Sequence, residues 1–220
     1  ETFDLDLTNP TGLTCDSVSI AAGGDSATAT ITDDDAVQVS VTAPGAGVEG
    51  SSFVFTVALD TVSTQTVTID YTTTDGSATS AGDYTGSGGL QTLTFNPGVT
   101  SLTVSVASTD DAVNECDETF DLDLTNPTGL SCPSVSIAAG GDSATATIND
   151  DDAVQVSATA PGAGVEASSF VFTVELDTVS TQTVTIDYAT ADGTATSAGD
   201  YTATSATLTL NPGVTSLTVS

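Results

Sequence analysis

The heptapeptide Glu1-Thr2-Phe3-Asp4-Leu5-Asp6-Leu7 returns unchanged as Glu118-Thr119-Phe120-Asp121-Leu122-Asp123-Leu124, a displacement of 117 residues. In the same frame Cys15 maps onto Cys132, and the run Asp33, Asp34, Asp35 onto Asp150, Asp151, Asp152. Further along the displacement falls to 115, because the second copy lacks two residues near Gly88, Gly89 and Leu90, and Asn96-Pro97-Gly98 returns as Asn211-Pro212-Gly213. A period of this length is a whole domain rather than one turn of a solenoid. Near-identical copies therefore predict tandem modules of one fold, not two unrelated domains.

Within a period the dominant signal is alternation of apolar residues with Thr, Ser or Asp, broken by Asn-Pro-Gly and Asp-Gly turns. Alternation of period two is the mark of a strand with one wet face. It predicts seven strands, at 37–41, 53–59, 66–73, 90–95, 102–108, 119–125 and 144–148. Phe53, Phe55, Val57 and Leu59 share one face, as do Val67, Ile69 and Tyr71, and again Phe120, Leu122 and Leu124. No stretch of helix length carries a 3.6-residue period. The expectation is all-β: an antiparallel two-sheet sandwich of about seven strands, repeated head to tail.

The frame yields three segments. Residues 36–152 are expected to form a complete module, 1–35 the last two strands of a preceding copy, and 153–220 the first five strands of a following one. On this reading the chain starts and ends inside modules and is a window on something longer. A partial sandwich cannot bury its inner face alone. Complements are expected either by covalent continuation or by strand donation, with residues 1–35 of one copy completing 153–220 of the next. Both routes make identical copies the partner, and a head-to-tail contact that does not close grows into a filament.

The charge is as one-sided as the repeat is regular: 30 Asp and Glu, with no Lys, Arg or His, for a formal charge of −30. Nucleic acid and anionic membrane surfaces are excluded as partners, because both demand basic residues. His triads, Lys Schiff bases, P-loop lysines and Arg clamps are also excluded. Paired carboxylates could serve a glycosidase, but there is no Trp and few Tyr to build a sugar cleft. No enzyme is expected.

The acids gather in inter-strand turns. Asp110 and Asp111 precede Glu115, Asp117 and Glu118 before the sixth strand, Asp150, Asp151 and Asp152 close the seventh, and Glu49 and Asp83 lie in two further turns. Carboxylates about 4 Å apart repel by roughly 4 kcal/mol at an effective dielectric near 20, and no basic side chain offsets this. A divalent cation would. Ca²⁺ suits flexible carboxylate-rich loops better than Mg²⁺, since it takes 6 to 8 oxygens or so in a tolerant geometry. The competing explanation is a solvated acidic surface, which suffices for the isolated Asp60, Asp70 and Asp142.

The stretch Tyr188-Ala189-Thr190-Ala191-Asp192-Gly193-Thr194-Ala195, leading to Asp200-Tyr201 and then 208–213, resembles the Calx-beta domain. Asp110-Asp111, Asp117-Glu118-Thr119-Phe120, Asn126-Pro127-Thr128-Gly129, Ala144-Thr145-Ala146-Thr147-Ile148 and Asp150 to Asp152 follow the order of that family. The resemblance implies an Ig-like sandwich whose carboxylates converge at one end. It implies that Glu49, Asp83, Asp110, Asp111, Glu115, Glu118, Asp150, Asp151 and Asp152 surround two or more Ca²⁺ ions, with the Val113 carbonyl as a backbone ligand. Glu1, Asp33, Asp34 and Asp35 would be the matching ligands of the preceding copy, and Glu166 and Asp200 those of the following one. Ala112 and Cys116 depart from the most acidic pattern of the family.

Three cysteines leave several pairings open. A Cys116–Cys132 bridge is one, with Cys15 pairing outside this stretch of sequence; a bridge between neighbouring copies and a buried free thiol are the others. A disulfide would fit an extracellular or cell-surface location. Asn9 and Asn126 precede Pro, so no N-glycosylation acceptor is present. Two roles fit these features: a calcium-stiffened structural repeat forming a filament or surface fibre, and a spacer array in a large bacterial adhesin whose ligand-binding tip lies elsewhere.

Overall fold

The computed structural model describes residues 1–12, 18–32, 36–129 and 134–220, and its strands follow the alternation closely. In order they are β1 Thr2–Asp6, β2 Ser26–Thr30, β3 Val37–Thr42, β4 Ala46–Val48, β5 Ser52–Leu59, β6 Val67–Asp75, β7 Gln91–Phe95 and β8 Ser101–Ala107. The second half holds β9 Glu118–Thr128, β10 Val135–Ile137, β11 Ser143–Asn149, β12 Val156–Thr159, β13 Phe172–Leu176, β14 Val184–Ala189, β15 Ser205–Leu210 and β16 Ser216–Val219.

Strands β3 to β11 form two facing sheets, ordered β10-β3-β5-β8 and β4-β11-β9-β6-β7. The seven expected strands are all present, and two short ones join them at sheet edges. β10 adds to β3 and β4 adds to β11, both in parallel. Neither has the length for alternation to register, which is why both escape a sequence reading.

The core follows the shared faces. Phe53, Phe55, Val57 and Leu59 from one sheet meet Val67, Ile69, Phe120, Leu122 and Leu124 from the other, all buried. Tyr71 is half-buried against the same cluster. Phe120 sits at the centre, edge-on to Phe53 at 5.6 Å and Phe55 at 5.8 Å, with the Tyr84 ring stacked on it at 4.3 Å. Edge-to-face pairing places the positive ring edge on the negative ring face and adds to the area buried.

Strand β9 contains a proline, which a central strand tolerates only at an irregularity. Its register against β6 shifts between Thr68 and Asp70, and Asn126 before Pro127 takes φ 51° there. Asn visits this left-handed region more readily than other residues, and its Nδ2 donates to Asp70 Oδ2 at 3.2 Å.

The flanking segments repeat the pairings of these sheets. Phe3 faces Ala29 across β1–β2 as Phe120 faces Ala146 across β9–β11. Val184 faces Leu210 across β14–β15 as Val67 faces Phe95 across β6–β7. Burial repeats only in part: Leu210, Val174 and Leu176 are buried like their equivalents Phe95, Val57 and Leu59, but other inward positions are open. Phe3, Leu5 and Leu7 are 58%, 63% and 51% exposed, and Val165, Phe170 and Phe172 of the other segment are exposed too.

Candidate metal centre

Pairing between segments far apart in the chain gathers the acidic turns. The parallel β4–β11 pair ends with Val48 opposite Asn149, and Glu49 N donates to Asn149 O at 3.2 Å, which sets Glu49 beside the closing aspartates. Thr109 N donates to Asp83 O at 2.9 Å, and Gly50 N to Thr109 O at 3.2 Å. Gly50 has φ +65°, and a Cβ there would stand 2.9 Å from Asp110 Cβ. Only glycine lets the Glu49 turn approach the acidic loop this closely.

Two groups of carboxylates result. Glu49, Asp111 and Asp152 form one; Asp83, Glu115 and Glu118 form the other, and within each group the oxygens lie within 4.8 Å of one another. Burial, reinforced by Asp83, holds the Glu118 carboxyl up at about 7. Glu49, Glu115 and Asp152 are raised as well, first by desolvation and then by neighbouring carboxylates. For Glu49 and Glu115 these neighbours include Asp111 and Asp150, so the two groups share one field. An all-oxygen, anionic donor set, half-buried except at the exposed Asp111 and with no basic counterion, fits a hard divalent cation of calcium size.

The remaining expected ligands have other roles or none in these groups. Asp150 organises the loop: its Oδ2 accepts from Glu115 N at 2.9 Å and Asn114 Nδ2 at 3.0 Å, and its Oδ1 from Asp152 N at 3.1 Å. Val113 N donates to Asp111 Oδ1 at 2.7 Å, fixing the turn around Val113. Asp110 and Asp151 are exposed beside the groups, and Glu1 and Glu166 are exposed in the flanking segments. Asp200, also exposed, accepts from Thr196 N at 2.8 Å. Asp33, Asp34, Asp35, Cys15 and Cys132 lie outside the described residues. Cys116 is exposed, which removes the buried-thiol alternative at that position.

Two features escape sequence reasoning. Asn114 bonds to both sides of the loop, although an isolated Asn in an acidic run carries no signal. Asp75 accepts from Tyr84 Oη at 2.6 Å and Ser80 N at 2.9 Å, pinning the turn that carries Asp83. Those bonds hold the Asp75 carboxyl below its ordinary value, while burial and Asp75 push the Tyr84 hydroxyl up to about 12. Asp192 and Tyr201 repeat this pair at 2.6 Å, so the recurrence of Asp and Tyr nine residues apart was the available clue.

A family model for the Calx-beta domain matches residues 32–152 and 154–220. The chain belongs to the Calx-beta family. Among solved structures, the apo-form Calx CBD1 domain is 28% identical over 51% of this chain and 99% of that one, with a TM-score of 0.43. CBD12 from CALX1.2 is 22% identical over 83% of this chain and 73% of that one, with a TM-score of 0.46. The calcium binding domain CBD12 of CALX1.1 is 22% identical over 81% and 73%, with a TM-score of 0.43. No curated protein matches the chain.

Proposed function

We propose that this chain is a structural array of calcium-binding modules, stiffened by Ca²⁺ where one sandwich meets the next and placed outside the cell. The observation that carries this reading is the position of the acidic groups. Asp152 belongs to one of them, and the chain runs from it into β12 of the following module within a few residues. A cation drawing Asp152 toward Glu49 and Asp111 would anchor the junction to the body of the module.

Identical copies are the partner, and the exposed faces specify how they would join. Tyr71, Thr73 and Asp75 face Leu124, Leu122 and Phe120 across β6–β9. By repeat equivalence Tyr188 on β14, with Thr190 and Asp192 just beyond it, would face Leu7, Leu5 and Phe3 of a second copy. Phe3 would then enter between Phe170, Phe172 and Tyr201, as Phe120 does between Phe53, Phe55 and Tyr84. This face-to-edge addition propagates head to tail and makes a filament.

Calorimetry of the 220-residue chain in calcium and in chelator tests the metal. A calcium-dependent rise in midpoint is expected, since a ligand held by the native state alone stabilises it by mass action. An unchanged midpoint at millimolar calcium would leave the acids as a solvated surface. Sedimentation against protein concentration tests the joining. Phe3→Asp should hold the chain monomeric, and assembly by that variant would discard strand addition.

A further inference from the structure

The acidic loop is bonded to the following module by a short parallel bridge between Asn114 and Ser180. Asn114 N donates to Val179 O at 2.9 Å, and Thr181 N donates to Asn114 O at 2.9 Å. Ser180, 3% exposed, donates from Oγ to Asn114 Oδ1 at 3.0 Å. The other end of that side chain, Nδ2, donates to Asp150 Oδ2 at 3.0 Å and to Asp152 O at 2.6 Å. Gln182 Nε2 donates to Glu115 O at 3.1 Å, and the Thr178 hydroxyl donates to the Ala112 carbonyl.

Every polar group of Asn114 therefore bonds across the junction or to the closing aspartates. We infer that Asn114 is a positioning residue that plugs the loop 112–115 into the turn 178–182 and couples the acidic groups to the docking of the next module. Asn suits the post because one amide offers donors to the carboxylate side and an acceptor to the serine side. Asp would lose the donors and add a charge beside Asp150; Ser would reach neither side.

The repeat supplies an internal comparison. Asp60–Thr66 and Asp177–Thr183 are identical in sequence, and in both turns the serine hydroxyl accepts from the glutamine N–H at 3.0 Å. Among the described residues, only the second turn carries a plug. Val62 in the open turn is 60% exposed, whereas Val179 in the plugged one is 38% exposed. The turn is thus a preformed socket: the loop leaves the glutamine-to-serine bond in place and takes the serine's own proton, which in the open turn goes to Gln65 O at 2.9 Å.

Coupling between sites is reciprocal, so loosening the socket must weaken the cation. For the metal arm this rests on the calcium reading above; the docking arm does not. The test uses the 220-residue chain with Asn114→Ala, Ser180→Ala and, as comparison, Ser63→Ala. Calcium titration gives affinity, and residual dipolar couplings in calcium and in chelator report whether the two modules tumble as one body. Ser180→Ala and Asn114→Ala should each separate the module alignments in chelator and weaken calcium about threefold to tenfold, the size of one or two hydrogen bonds. Ser63→Ala, which loses the same turn bond but faces no loop, should change neither. Ser180→Ala behaving like Ser63→Ala while calcium still binds would overturn the coupling. Absence of calcium binding by the parent chain would instead fail the metal reading, and independent module alignments in that parent would overturn the plug as well.

Discussion

Glu118 shows at the scale of one residue why the pocket needs a counterion. Its folded carboxyl holds a proton up to about 7, whereas in the unfolded chain it ionises near its ordinary 4.5. Between those values Glu118 binds more protons in the folded module than in the unfolded chain, so its contribution to stability without metal is fully present below 4.5 and is lost as the pH rises through 7. Thermal scans in chelator across pH 4 to 8 should show that decline, and saturating calcium should flatten it. Glu118→Gln removes one repelling charge and should raise the chelator midpoint by a few degrees, the shift expected from about 1 kcal/mol in a module of this size. The same variant should weaken calcium binding, read by titration, because one oxygen donor of the group loses its charge. A lowered chelator midpoint would mean that the neighbours of Glu118 do not repel it.

At the scale of the element, β9 and β1 carry the same seven residues in different surroundings. Phe120 is fully buried among three aromatic rings, and Phe3 is 58% exposed. Phe120→Ala should cost about 3 to 5 kcal/mol in urea unfolding of the complete module. Phe3→Ala should change its stability by less than about 0.5 kcal/mol, while reducing concentration-dependent assembly. The alternating positions of β9 were readable from sequence, because each apolar residue marks the inner face at intervals of two. β4 and β10 were not, since three residues give no periodicity and their parallel partners lie far along the chain. This matters for the site: β4 is what carries Glu49 to the closing aspartates.

At the scale of the molecule, a chain of charge −30 without a single basic side chain has few ways to hold modules in line. The plug of Asn114 joins them through hydrogen bonds, and the proposed cations act beside it. Small-angle scattering with calcium and after chelation should show a longer, stiffer particle in calcium; identical profiles would remove the stiffening role. The same composition deprives trypsin of any cleavage site. Incubation of the chain in denaturant-tolerant trypsin, read by intact mass, should leave the chain whole even when unfolded.

The amino-acid order by itself determined the period, the all-β architecture, the inward faces of β5, β6 and β9, and which turns hold the acids. Those properties are local or recur at a fixed displacement, so periodicity and self-comparison expose them. Tertiary structure alone decided which carboxylates meet. It grouped Glu49 with Asp111 and Asp152, and Asp83 with Glu115 and Glu118, while turning Asp150 into a brace for the loop. It also placed Asn114 between two modules. Contacts between residues many tens of positions apart depend on how loops close over the end of a sandwich, and no local pattern in the chain encodes that closure.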